Sequence, residues 1–248
     1  MRYGVLADVH GNLRAFRTAV ATLQQAGMEK LLFLGDLVGY CAEPGECIDL
    51  IRSLAASMPV AAIAGNHDRN VLGEPDPNMR TTAKRTIKWT QDVLQPHHLD
   101  YLRSLPQGQV VDGTILMVHG SLVTRDAYIL STREVEANRK CMAEEFPGLR
   151  ICFFAHTHVP MLIGSQVLMK DLKESRAFKL DPADTFLVNP GSVGQPRDRS
   201  AQAAFGLYDS EARSMFFYRR PYDVAGARAA IIAAGLPEKF ARRLELGV

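Results

Sequence analysis

The chain has 248 residues, 47% of them apolar, with a formal net charge of +2. That length holds one large domain or two small ones with a substantial core. The near-neutral charge excludes an extended non-specific nucleic-acid track, which needs a clear basic excess, but not a small anion held at a local site. Cys41, Cys47, Cys141 and Cys152 form no CxxC pair and read as buried thiols of a reducing compartment. No window reaches the roughly 18 apolar residues of a membrane span. The opening "MRYGVLADVHG" lacks a charged lead followed by a long apolar stretch and a cleavage site, so a soluble cytoplasmic protein is expected.

In chain order, "RYGVLA" (2–7) is an apolar run that stops at "DVHGN". A helix is predicted from Asn12 as N-cap to Gly27 as stop, with Leu13, Phe16, Val20 and Leu23 at spacings of three and four. "KLLFL" (30–34) stops at "GD", a helix follows over 44–56 with Pro44 in its first turn, and "VAAIA" (60–64) stops at "GNHD". This β-α-β-α-β rhythm favours a parallel sheet covered by helices. Residues 69–106 read as a mildly basic helical insertion broken at Pro96, and they follow His67 directly, so they are expected to overhang the site and narrow substrate choice. "TILMV" (114–118) ends at "HG", Ser131 and Glu134 predict a capping box for a helix over 132–145, and "RICFFA" (150–155) ends at "HTH". Short β-like runs from "PMLIG" to "RSMFFYRR" then predict hairpins and a second, largely antiparallel sheet or half-sheet, before helices near 223–234 and 237–245. With no linker or internal repeat, residues 1–248 are read as a single domain.

The polar residues at these strand ends form a set: Asp8, His10, Asp36, Asn66, His67, His119, His156 and His158. Five of the seven histidines directly follow apolar runs; His97 and His98, in the insertion, are expected to face solvent. Ligand sites of open α/β sheets gather outside the carboxyl ends of strands. Imidazole with carboxylate suits Mn, Fe, Co, Ni or Zn. The set exceeds what one ion takes, and Asp36, alone at its strand end, is the natural bridge because a carboxylate has two oxygens. Two divalent ions against two carboxylates leave a net-positive mouth that attracts phosphate. On an extended chain, His156 and His158 lie too far apart for one ion and suit neighbouring ions.

"DVHGN", "GD" at 35–36, "GNHD" at 65–68, "HG" at 119–120 and "HTH" at 156–158 occur in the order found in calcineurin-like metallophosphoesterases, which this chain resembles. "NPGSVGQPRD" (189–198) is similar to a further signature of the small bacterial members. The resemblance implies an α/β fold: a four-layer αββα sandwich of two mixed β-sheets flanked by helices, here with the helical insertion. It implies that Asp8, His10 and His158 hold one metal, that Asn66, His119 and His156 hold a second, and that Asp36 bridges. His67 would contact phosphate and protonate the leaving oxygen. Two departures stand out. Gly39 and Tyr40 replace the Asp-Arg pair of the serine/threonine phosphatases, which counts against a protein phosphatase. Ala155 stands where glycine is usual, a mild change unless that backbone needs positive φ.

The expected function is dinuclear-metal-dependent hydrolysis of a phosphoester, foremost a phosphodiester, by attack of a hydroxide held between two divalent ions (Mn first; Fe, Zn, Co or Ni also suit). Alternatives are a dinucleoside polyphosphate hydrolase, a phosphomonoesterase, or a non-catalytic protein-binding scaffold of the same fold. The expected partner is a small phosphoester, with no membrane and no extended nucleic acid; a homo-oligomer is compatible. Substrate-contact candidates are Asn12, otherwise a helix cap, Arg197, otherwise paired with Asp198 or solvent, and Tyr128, at the site or in the core. Gly191 and Gly194 are expected to serve turns. The basic face of Arg80, Lys84, Arg85 and Lys88 reads as a solvated helix face before a substrate clamp.

Overall fold

The computed structural model describes residues 1–248 apart from 75, 77, 78 and 171. The chain opens with β1 (Arg2–Leu6), α1 (Leu13–Gln25), β2 (Lys30–Phe33), α2 (Pro44–Ser57) and β3 (Val60–Ala62). α1 begins where the Asn12 side chain accepts the Ala15 amide. α2 carries Pro44 in its first turn, where a missing N–H is no loss. The insertion is built from α3 (Asn66–Val71), α4 (Thr81–Val93) and α5 (Pro96–Ser104); Pro96 opens a new helix. The parts of the expected insertion at 75, 77 and 78 lie outside the described residues. β4 (Gly108–Val111) and β5 (Ile115–Val118) form a hairpin whose turn has positive φ at Asp112 and Gly113. α6 (Thr132–Glu145) has the Ser131–Glu134 capping box. β6 (Ile151–Phe153), β7 (Met161–Ile163), β8 (Leu168–Lys170), β9 (Arg176–Lys179), β10 (Phe186–Asn189), β11 (Ala203–Asp209) and β12 (Ser214–Arg220) follow, and α7 (Val224–Ala233) and α8 (Glu238–Leu246) close the chain.

The strands form two six-stranded mixed sheets, ordered β3-β2-β1-β11-β12-β9 and β4-β5-β6-β10-β7-β8. The later strands therefore do not make a sheet of their own, as their hairpin texture suggested. β11 pairs antiparallel with β1 and completes the first sheet, while β10 lies between β6 and β7 in the second, parallel to one and antiparallel to the other. Both sheets are covered on both sides, so their central strands are continuous apolar runs whose alternate residues enter different layers. Leu31 and Phe33 pack under α1 and α2, whereas Leu32 and Leu34 pack between the sheets. Ile151 and Phe153 likewise face the inter-sheet core, and Cys152 and Phe154 face the layer shared with Met142 of α6. Helix, sheet, sheet and helix thus stack as the four-layer αββα sandwich. No helix of the described residues is long and apolar enough to cross a membrane.

Candidate metal centre and active site

The carboxyl ends of β1, β2, β3, β5 and β6 meet at one rim. β1, β2, β3 and β6 stop one or two residues short of their expected ends, where the chain turns sharply, while β5 ends at Val118 as expected. Asp8, His10, Asp36, His156 and His158 all have positive φ, between 52 and 68°. For residues with a Cβ this conformation costs roughly 1–3 kcal/mol each and persists where surrounding structure enforces it, typically at functional sites. The geometry corrects the strand-spacing argument for "HTH". β6 has already ended at Phe153, so His156 and His158 are not on an extended chain, and left-handed turns aim their rings apart. Ala155 is not among the described positive-φ residues and is fully buried, so its methyl group fits.

Two clusters result, with ligand atoms within 4.8 Å of one another in each: Asp8, His10, Asp36 and His158, and Asp36, His119 and His156. Asp36 belongs to both. Its Oδ2 lies 3.6 Å from His10 Nε2 and 3.3 Å from His119 Nε2, while Oδ1 accepts the His67 amide at 2.8 Å. Asn66 Oδ1 is 3.1 Å from His119 Nε2, which places the amide beside the second cluster.

The donor set fits divalent cations. His10, His119 and His158 each turn Nδ1 to a backbone carbonyl, of Val38, Leu34 and Gln195 at 3.2, 2.7 and 2.5 Å. A carbonyl only accepts, so each Nδ1 carries the proton; His10 and His158, held neutral by burial, present the Nε2 lone pair inward, whereas His119 Nε2 faces the Asp36 carboxylate, which keeps that ring protonated in the metal-free protein. His10 Nε2 and His158 Nε2 then face each other at 3.1 Å, and among the described residues no side chain donates to either oxygen of fully buried Asp8. Converging lone pairs and an orphaned carboxylate are unfavourable until a cation sits among them. Ligands about 2.1 Å from one ion are roughly 3.0–3.4 Å apart. The Nε2–Nε2 separation of 3.1 Å and the His158–Asp8 separation of 3.5 Å are close to that.

Protonation follows burial and charge. Burial pushes Asp8 up, whereas the surrounding histidines hold Asp36 low against its own burial. Burial lowers His119, but the Asp36 carboxylate outweighs it and leaves the ring at about 9. Burial takes His67 down to about 4 and His156 to about 3, so both are neutral near pH 7.

His67 sits on α3 with its ring edge-on to His10 and Tyr40, at centroid distances of 4.7 and 4.4 Å. Its Nδ1 has no hydrogen-bond partner among the described residues. What replaces the Asp-Arg pair is a matter of shape. Gly39 has φ of 140°, and a Cβ there would come within 2.5 Å of His67 Nδ1 and 2.9 Å of His10 Nδ1. Tyr40 then packs its ring against His67, and its hydroxyl is 3.4 Å from Arg197. Arg197 supplies a guanidinium from a distant part of the chain. It does not pair with Asp198, whose carboxylate takes Arg219 in a buried ion pair. Instead it reaches Tyr40, Tyr128 and Gln195 hydroxyl or amide oxygens, with Nε unpartnered. Tyr128 stacks on His156 at 4.3 Å with its ring 42% exposed, so it lines the site and not the core.

Asn12 is a correction. It is fully buried, its oxygen caps α1, and its amide donates to the Gly194 carbonyl and Tyr222 hydroxyl, which leaves nothing for a substrate. His98 is another. It is buried against Gly45, with Nδ1 accepting the Gln95 amide, and only His97 faces solvent. Cys141 is half-buried and not, like the other three cysteines, enclosed. Of the basic face, only Arg80 lines the pocket; Lys88 pairs with Asp92.

Sequence reasoning passed over the residues that hold the ligands. Asp68 accepts the amides of Asp36, Leu37, Val38 and Gly65 at 2.8–3.2 Å, tying the "GD" loop to "GNHD". Gly65 is required there because a Cβ would collide with the Asp36 carboxylate. Ser192 Oγ and the Gly194 amide both donate to the Asp8 carbonyl, Gln195 accepts from His158, and Asn189 donates to Ala155 and Thr157. The "NPGSVGQPRD" loop therefore fastens both ends of the first cluster. A capping-box reading of "GNHD" was the one available signal for Asp68.

The family model of the calcineurin-like phosphoesterase superfamily domain matches residues 1–213. The chain belongs to this superfamily. This phosphoesterase is 30% identical to an uncharacterized protein of Methanocaldococcus jannaschii over 98% of its own length and 97% of the relative's. It is similar to the crystal structure of a metallophosphoesterase from Sphaerobacter thermophilus, at 33% identity and TM-score 0.85, covering 100% and 99% of the two chains. A hypothetical protein from Pyrococcus horikoshii OT3 matches at 27% identity and TM-score 0.83, with 100% and 98% covered. As a metallophosphoesterase, the chain comes from a family that uses divalent metals, and its Asp/His clusters are positioned to hold them.

Proposed function

We propose that this chain hydrolyses phosphoesters, foremost phosphodiesters, with two divalent ions, manganese first. The carrying observation is the sharing of Asp36 between two clusters, in the first of which the His10 and His158 lone pairs converge beside the Asp8 carboxylate. Asp8, His10 and His158 would hold one ion, Asn66, His119 and His156 the other, with Asp36 between them. When bound, such a pair of ions lowers the pKa of a shared water and clamps the oxygens of an in-line displacement.

The chain's own groups have separate tasks. Arg197, with its unpartnered Nε beside the pocket, would fork onto phosphate oxygens. His67 is neutral at rest, so it would become a proton donor only once an anionic phosphate beside it raises its pKa. Tyr40 holds the His67 ring, and Tyr128 forms an aromatic wall next to His156. The pocket of about 1100 Å³ has room for both ester groups of a diester.

Bis-p-nitrophenyl phosphate turnover, measured after loading with Mn, Co, Ni, Fe or Zn in turn, tests this reading. Two ions per chain with turnover, and loss of both in Asp36→Asn, is the expected result. Stoichiometric metal binding without turnover by any ion would sink the hydrolase and favour a protein-binding scaffold.

A further inference from the structure

We propose that Arg80, Lys239 and Arg243 form a second anion subsite in the same pocket, which takes another phosphoryl group of the substrate. The inference rests on the phosphoester reading and narrows it to substrates with more than one phosphoryl group.

The three cations line one side of the pocket, Arg80 just ahead of α4 and the other two on α8. Lys239 and Arg243 lie on α8, beyond residue 213, where the family match ends, whereas Arg80 lies within it. The opposite wall is also basic, but its charges are used: Arg69 pairs with Asp126 and Arg125 with Glu74. Among the described residues no ion pair joins Arg80, Lys239 or Arg243 to a carboxylate. Lys239 donates only to the Thr82 hydroxyl. Like charges held together repel, and burial together with Arg197 and Arg80 lowers Arg243, while burial, Arg243 and Arg80 lower Lys239. A multiply charged anion relieves that repulsion and accepts from all three side chains.

The subsite is contiguous with the metal clusters. Contacts no longer than 5.0 Å run from His67 to Tyr40, from Tyr40 to Phe240, and from the Phe240 ring to Lys239 Nζ. Arg197 lies over Tyr40 at 5.9 Å and lines the same pocket. A substrate whose scissile phosphorus faces His67 therefore shares one pocket with the cationic wall, which a further phosphoryl group along its chain would reach.

The probe is inorganic tripolyphosphate, titrated calorimetrically into the full chain after metals have been removed, so that binding reports the cations alone. Loss of two charge-assisted hydrogen bonds predicts a Kd about tenfold or more weaker in Lys239→Ala/Arg243→Ala. Lys239→Arg/Arg243→Lys should restore most of the affinity, and Lys84→Ala/Lys88→Ala, off the pocket, should leave it unchanged. Near-UV circular dichroism verifies folding of each variant. Equal affinity in wild type and the double alanine variant, an equal loss in the Lys84/Lys88 control, or no binding by wild type at millimolar probe overturns the subsite. Absent turnover of bis-p-nitrophenyl phosphate by metal-loaded wild type would sink the hydrolase reading and leave the calorimetric result standing.

Discussion

Asp68→Asn tests how the centre is held. The carboxylate collects four backbone amides from two loops, at 2.8–3.2 Å, in a fully buried position. Asparagine keeps one oxygen and so at best two of these bonds. Its NH2 group then faces the other two amides, donor against donor. Each unsatisfied buried donor costs about 1–3 kcal/mol, so the loss is roughly 2–6 kcal/mol. For a chain of 248 residues that lowers the melting temperature by roughly 4–24 °C, at about 2–4 °C per kcal/mol. The consequence for the site is separate. The Asp36 amide is one of the four, so the carboxylate shared by the two clusters loses its anchor, and metal affinity should fall about 10–100-fold, as for residues that orient metal ligands in general. Thermal melts of the chelated protein read the first effect, and metal titration of folded protein reads the second. A variant with wild-type melting and wild-type metal affinity would falsify the claim that Asp68 ties the two loops together.

Gly39→Ala should fold but displace His67 and His10, because its Cβ would lie 2.5 and 2.9 Å from their Nδ1 atoms at a φ of 140°; turnover is expected to drop about tenfold or more, and unchanged kinetics would contradict the packing argument. Arg219→Ala strands the buried Asp198 carboxylate and should destabilise by about 3–5 kcal/mol in urea melts, and a loss within error of zero would mean the pair contributes nothing. Chelation should lower the melting temperature, since an ion at 1,000 times its Kd adds about 4 kcal/mol to the folded state; identical melts with and without Mn would count against the cation fit. In the metal-free protein, burial holds His67 at about 4 and His156 at about 3. The unfolded chain therefore binds more protons below about 6.5, and stability falls as pH drops from there toward 4. His67→Asn should flatten that slope in melts at stepped pH, and an unaltered slope would exclude His67 as its source.

Much of the fold was legible because local rules and tertiary outcome agree. Asn12 and the Ser131–Glu134 pair marked the starts of α1 and α6, and Pro96 marked a break that the structure turns into a helix start. The candidate metal-site residues were visible because buried strands are apolar, so a histidine or aspartate immediately after one is conspicuous. β4 was missed: "GQVV" is half-exposed and lacks the apolar continuity of the central strands. Asn12 stood open between helix cap and substrate contact because a motif position does not say which way an amide points; packing made it the cap and turned its amide to Gly194 and Tyr222.

The amino-acid sequence by itself determined which residues stand at strand ends, the order of helices and strands, and the chemistry those ends present, since period, caps and apolar runs act over a few residues. The tertiary structure decided what depends on long-range pairing. Hairpin-like runs after residue 160 carry no mark of the sheet they join, so only packing distributed β9, β11 and β12 to one sheet and β7, β8 and β10 to the other. The split of His156 and His158 likewise came from left-handed turns enforced by the Asn189 and Gln195 contacts, 30 or more residues away in the chain. The cationic wall of Arg80, Lys239 and Arg243 joins residues about 160 positions apart, a proximity no local pattern encodes because it exists only once α8 has docked beside Tyr40.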